Sequence, residues 1–160
     1  MTDASADFAD LRDLYQEVIL DHGRHPRNFR RLAPPARHAR GDNPMCGDRV
    51  EVWVRLDEQD RIADAAFEGR GCAISVASAS LMTETVRGKS AAEARALADA
   101  FRSLVRTGRC PVCGAVHAED LERLRPLSGV AEYPSRVKCA TLAWHALEAA
   151  LAGEASATTE

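Results

Sequence analysis

No stretch of this 160-residue sequence reaches the roughly 18 to 20 uninterrupted apolar residues that a membrane helix needs, so no membrane association is expected. The first residues carry Asp3, Asp7 and Asp10 but neither a basic nor an apolar segment, which argues against a secretory leader and for a cytoplasmic protein. Charge of either sign is also not in large excess. A formal net charge of -3 gives no electrostatic reason to expect nucleic acid as a partner and leaves proteins as the expected ones. There is no internal repeat and no linker that would divide the chain into separate domains. Ser75, Ser78 and Ser80 have no base beside them in any motif, so nothing reads as a hydrolase. An even set of cysteines is lacking too. Five of them, at 46, 72, 110, 113 and 139, in a reducing compartment point to metal ligation or thiol chemistry rather than a disulfide framework.

What is present is the composition of a globular chain, 46% hydrophobic and 28% charged. A chain of this length buries about two thirds of its unfolded surface without disulfide staples. One domain over 1–160 is expected, with 1–6 and 154–160 disordered because the tail has nothing to bury.

The patterning predicts a helix from Asp7 to His22, with Phe8, Leu11, Leu14, Tyr15, Val18 and Ile19 at three- and four-residue steps and Gly23 and Pro26 ending it. An Arg- and Pro-rich stretch, 24–40, should cross the surface and end in a short edge strand near His38 to Asp42. From Arg49 to Asp57 the alternation is strict, Val50, Val52, Val54 and Leu56 against Glu51, Trp53 and Arg55, which predicts a half-buried antiparallel strand. Ile62 to Glu68 should return as its partner before Gly69-Arg70-Gly71 breaks the pattern. Helices are then expected at Ala73 to Val86, from the capping box Ser90-Ala91-Ala92-Glu93 through Val105, and from Pro134, with Val137, Thr141, Trp144, Leu147 and Leu151 as a core stripe. Between the last two, 109–133 reads as a largely irregular excursion around a short helical stretch, Glu119 to Leu124. The fold class is α+β, a small antiparallel sheet followed by a helical half.

Three cysteines fall at prepared positions. Cys46 and Asp48 share a turn before the strong strand and can aim two anionic groups at one cation. Cys72 follows a Gly-x-Gly break and opens a helix, where unpaired N–H groups favour thiolate. Cys139 lies near the start of the last helix, off its large-residue stripe and free to face a site. Three thiolates and a carboxylate suit tetrahedral zinc and disfavour magnesium or calcium. Separate buried cysteines, acting as small core hydrophobes, are the alternative that spacing leaves open.

Four segments in order, Leu14-Tyr15-Gln16-Glu17-Val18-Ile19-Leu20-Asp21-His22, Asn43-Pro44-Met45-Cys46-Gly47-Asp48, Phe67-Glu68-Gly69-Arg70-Gly71-Cys72-Ala73-Ile74-Ser75 and Arg136-Val137-Lys138-Cys139-Ala140, together resemble the SufU family of the IscU-like superfamily. The resemblance implies a three-stranded antiparallel sheet packed with helices and a zinc site of Cys46, Asp48, Cys72 and Cys139. It further implies sulfur transfer for iron-sulfur cluster assembly, with a SufS-type cysteine desulfurase and downstream cluster-assembly proteins as partners. IscU-type scaffolds carry a His immediately before the last cysteine, where this chain has Lys138, and 109–133 resembles the insertion of SufU-type proteins. Cys46, on a Gly-flanked turn able to move, is then the expected sulfur acceptor and catalytic residue. A scaffold that builds a transient iron-sulfur cluster on the same cysteines is the alternative, a purely structural zinc domain a third reading, and whether the chain counts as an enzyme stays open.

One motif departs from that family. Cys110-Pro111-Val112-Cys113-Gly114 forms a knuckle that, with His117, suits half of a second metal site; a redox dithiol or a reduced surface loop are the other readings. His22 and His25 flank the end of the first helix, where a cation meets exposed carbonyls, and read as structural rather than ligating. Arg24, Arg27, Arg30 and Arg31 read either as a solvated face or as a dock for an acidic rim. Trp144 is expected in the core and His145 on the surface.

Overall fold

The computed structural model describes residues 15–45, 47–109 and 118–158. The expectations for 1–14, for Cys46, for 110–117, which hold Cys110, Cys113 and His117, and for 159–160 lie outside the described residues.

The first helix, α1, occupies 15–24 of the described chain. Three strands follow as an antiparallel meander, β1 (Arg37–Asn43), β2 (Asp48–Leu56) and β3 (Ile62–Arg70). The rest is α2 (Ala73–Val86), α3 (Ala91–Thr107), α4 (Ala118–Leu124), two 3-10 segments (Arg125–Glu132 and Pro134–Arg136), α5 (Val137–Leu151) and a short β4 (Ser156–Thr158). The fold is α+β with a three-stranded antiparallel sheet, as the sequence predicts. A three-residue strand is added: β4 lies parallel on β1, giving the order β3-β2-β1-β4. The tail expected to be disordered thus has a partner, because the outer edge of β1 offers unpaired backbone groups such as the Arg40 N–H, which donates to Ala155 O at 2.9 Å. Tail composition carries no sign of this.

Alternation in β2 sends Val50, Val52 and Val54 into a core shared with Phe67 of β3, Ala39 of β1 and the helices. The helix α5 crosses this face and is buried on nearly every side, with Leu142, Ala143 and Ala146 joining the predicted stripe. Its Trp144 stacks on Phe101 of α3 at 4.8 Å, and the indole N–H donates to Ser78 Oγ of α2 at 3.2 Å, so the one polar atom of a fully buried ring is partnered.

The opposite face of the sheet is not the solvent face that strict alternation predicts. Trp53 is only 8% exposed and packs with Leu32, Ala36 and Ala66. The chain between α1 and β1 lies across that face and covers it. His38 stacks on the Trp53 ring at 4.6 Å, and the Arg31 guanidinium sits 5.9 Å from its centroid. Two-residue periodicity reports which side chains share a face, but a covering loop is invisible to it.

The helix α3 forms as its caps dictate. Ser90 Oγ accepts the N–H of Glu93 at 3.1 Å, and Gly108, at φ +75°, donates back to Leu104 O at 2.8 Å. The excursion after it is more regular than expected: Pro126 sits in the first turn of a 3-10 helix, where its missing N–H costs nothing, and Leu124, Leu127 and Val130 reach the core. A largely buried pair, Lys89 to Asp120 at 2.8 Å, ties α4 to the start of α3. No helix among the described residues is long and apolar enough to cross a membrane.

Candidate metal centre

Three chain breaks converge at one end of the sheet. In the β1–β2 hairpin Asn43 pairs with Asp48, so the loop that holds Cys46 is four residues long and Asp48 opens β2. Gly47, at φ +69°, gives the turn a left-handed residue that side chains rarely adopt. At the end of β3 the chain leaves the sheet through Gly71 and enters α2 at Cys72, which occupies the N-cap position. Cys139 is the third residue of α5 and is fully buried. The Asp48 carboxylate and the Cys72 and Cys139 sulfurs each place a ligand atom within 4.8 Å of the others. Distant segments therefore meet at one point, as the ligand set read from the sequence requires of these three. Cys46, the fourth, lies outside the described residues.

The carboxylate is the most telling group. Asp48 is 4% exposed; its Oδ1 accepts the backbone N–H of Cys72 at 3.2 Å, and its buried Oδ2 has no hydrogen-bond partner among the described residues. An unpaired buried carboxylate oxygen is costly, and a bound cation removes that cost. Gly71 is needed to place it, because a Cβ there would lie 2.5 Å from Asp48 Oδ1. Two sulfurs beside a hard oxygen, in a buried setting, fit zinc or iron rather than magnesium or calcium. Cys72 stands at the N-terminal end of α2, where the first backbone N–H groups of the helix lack intrahelical partners.

The rim is charged. Arg49 follows Asp48 in β2 and pairs in register with Arg70 of β3, while Lys138 precedes Cys139. Burial pushes the Asp42 carboxyl up, but hydrogen bonds and charge from Arg40 and Arg49 outweigh it and hold that acid below its ordinary range.

Spacing alone gives Asn43 no role, yet it is 1% exposed and touches the centre: Nδ2 donates toward Cys139 Sγ at 3.9 Å, and Oδ1 accepts the Met45 N–H at 3.3 Å. An Asx-Pro pair before a cysteine turn signals the cap on Met45, but nothing local signals the contact with Cys139.

Other candidates fall elsewhere. His22 is held in the fold by a different route from the one expected: it is buried, its Nδ1 lies 2.7 Å from Ser80 Oγ, and burial, then the charge of Arg27, push its pKa down, which disfavours the cation expected at a helix end. The arginines of the covering stretch are paired on the surface, Arg27 with Asp21 at 2.6 Å, Arg30 with Asp64 at 2.9 Å and Arg31 with Glu68 at 3.2 Å. His145 is half-buried rather than on the surface, and burial, then Arg102 and Arg106, lower its pKa.

An antiparallel sheet backed by helices, with a carboxylate and two thiols from three chain breaks gathered at its end, defines a small α+β protein with a candidate metal centre. Comparison with known proteins narrows this. The NifU-like N terminal domain model matches residues 14–154, and the chain belongs to that family. It is 42% identical over 147 residues to the iron-sulfur cluster assembly scaffold protein IscU of Streptococcus pyogenes serotype M1, covering 92% of this chain and 88% of that one. Identity to the zinc-dependent sulfurtransferase SufU of Bacillus subtilis strain 168 is 39% over 148 residues, covering 91% and 95%. Among solved structures, a proposed iron-sulfur cluster assembly scaffold protein for the SUF system from Fervidobacterium islandicum AW-1 superimposes with a TM-score of 0.74 at 32% identity, covering 84% of this chain and 94% of that one. The expected IscU-like fold and family are thus confirmed.

Proposed function

We propose that this protein is a zinc-dependent sulfur carrier for iron-sulfur cluster assembly, taking persulfide sulfur from a SufS-type cysteine desulfurase onto Cys46. The observation that carries the reading is the unpartnered, buried Asp48 Oδ2 beside the Cys72 and Cys139 sulfurs. Zinc held by Cys46, Asp48, Cys72 and Cys139 keeps sulfur in the thiolate form at neutral pH and restrains its nucleophilicity. The chain's own residues do the rest. Asp48 and Cys72 are fastened to each other through a hydrogen bond, and Cys139 is fixed in a packed helix, so these three are poor candidates for movement. On this reading Cys46 is the ligand that meets the partner, because its sequence neighbour Met45 is 80% exposed. Its thiolate attacks the outer sulfur of the desulfurase persulfide. One S–S bond forms, the S–S bond within the desulfurase persulfide breaks, and the desulfurase cysteine leaves as thiolate, with no net oxidation.

The same donors suit an iron-sulfur cluster as cargo, and the 42% identity to an IscU scaffold favours that second reading. Lys138 stands against it, occupying the position where IscU-type scaffolds carry His. Anaerobic purification with analysis of metal and acid-labile sulfide separates the two. About one zinc per chain without sulfide is expected; iron with sulfide would establish the scaffold instead. On the first reading, C46S abolishes stimulation of the desulfurase while still docking to it, and mass spectrometry of wild-type protein after reaction with desulfurase and cysteine finds the added sulfur on Cys46. Sulfur first on Cys139 would reverse that assignment.

A further inference from the structure

Asn43 ends β1, and its partners are all parts of the centre. The side-chain N–H points at Cys139 Sγ across 3.9 Å, a long contact even for sulfur; the side-chain oxygen takes the Met45 N–H at 3.3 Å; and the backbone carbonyl takes the Gly47 N–H at 2.9 Å. Met45 and Gly47 are the sequence neighbours of Cys46. One residue therefore clasps the hairpin loop on both sides of that cysteine while reaching the sulfur that α5 supplies. A buried amide is stable only when its polar atoms have partners, and here the oxygen and one N–H find theirs on the site itself.

On the metal-thiolate reading above, the geometry points to Asn43 as a positioning residue that holds the β1–β2 loop and the Cys139 sulfur in register for a single ion. An N–H donated to thiolate draws electron density from the sulfur and stabilises its charge, more so at a buried sulfur such as that of Cys139. It also fixes the direction of the sulfur, as partners of metal ligands do in general. Cys72 needs no such clasp, because the α2 N-terminus and the Asp48 contact already orient it.

Two variants divide the contacts. A serine hydroxyl at 43 keeps a short cap on the Met45 N–H but cannot span to Cys139, whereas alanine loses both. Wild type, N43S and N43A are loaded with cobalt(II), whose thiolate-to-metal charge-transfer absorption reads the electron density on sulfur, and are titrated with zinc against a chromophoric chelator. Both variants should take up one ion with the charge-transfer band moved to longer wavelength, and N43A should bind zinc about 10- to 100-fold more weakly, the usual cost of losing a ligand's outer partner. If N43A does not fold, the band of N43S decides alone. Wild-type band energy in N43S would overturn the sulfur contact and leave a turn cap only. A wild-type protein without thiolate-to-cobalt absorption would overturn the metal reading and the role of Asn43 together, so the two failures are distinct.

Discussion

At the scale of single residues, the centre depends on one position where a side chain is forbidden. Gly71 lies against the Asp48 carboxylate so closely that a methyl group would overlap it at 2.5 Å. The G71A variant must therefore shift either the end of β3 or Asp48 itself. We expect roughly 1–3 kcal/mol of lost stability, the range for overpacking a tight site, together with reduced zinc content measured on the same preparation. Normal zinc and an unchanged denaturation midpoint would show that the carboxylate is free to move. The motif Cys-x-Asp makes Asp48 legible in the sequence because two anionic groups two residues apart in a turn suggest a cation. Asn43 is not legible in the same way: its role depends on a contact with a residue 96 positions away, which no local pattern encodes.

At the scale of elements, the capped helices and alternating strands are readable because their signals are local. Ser90 and Gly108 fix both ends of α3 where the sequence puts them, and the valines of β2 face the core as their spacing demands. Alternation misplaces Trp53 because its cover, the stretch containing Leu32 and Ala36, is brought there by the chain reversal after α1. The excursion reads as irregular for a similar reason. Its apolar residues look scattered along the sequence, yet they share one side of a 3-10 helix against α3. That anchoring bears on the Cys110 and Cys113 knuckle, whose flanking elements α3 and α4 are held by the core and by Lys89–Asp120. We expect the double variant C110S/C113S to lose about one zinc equivalent, if the knuckle holds a structural ion, and to keep stimulation of the desulfurase. Collapse of stimulation with the main-site zinc retained would give the knuckle a functional role instead.

Across the whole molecule, stability should depend on pH through two rings, one buried and one half-buried. His22 and His145 both have pKa values lowered below 6.5 in the folded chain, chiefly by burial. Above the unfolded value both states are neutral and the full stability is present. As pH falls from 6.5 toward the lower folded values, the unfolded chain takes up protons that the folded chain refuses, and stability drops. Urea midpoints compared at neutral and mildly acidic pH should therefore decline, and H145Q should decline less steeply. Equal slopes for the two proteins would exclude His145 from the effect.

The short β4 has a consequence for how any partner engages the molecule. It occupies Arg40–Asp42 on one margin of the sheet, while on the other the Phe67 N–H and carbonyl are taken by Asn28 and Arg30, and Ile62 is taken by Gly88 and Lys89. Among the described residues neither margin leaves a long row of open backbone groups, so recognition by β-augmentation, in which a guest peptide extends the sheet, has little to grip. On the proposed function, a visiting protein instead reads side chains around the hairpin loop and the starts of α2 and α5, where the candidate ligands Cys72 and Cys139 are. Recognition and chemistry then share one small area, and a substitution that alters docking there will be hard to separate from one that alters reactivity unless binding and turnover are measured side by side.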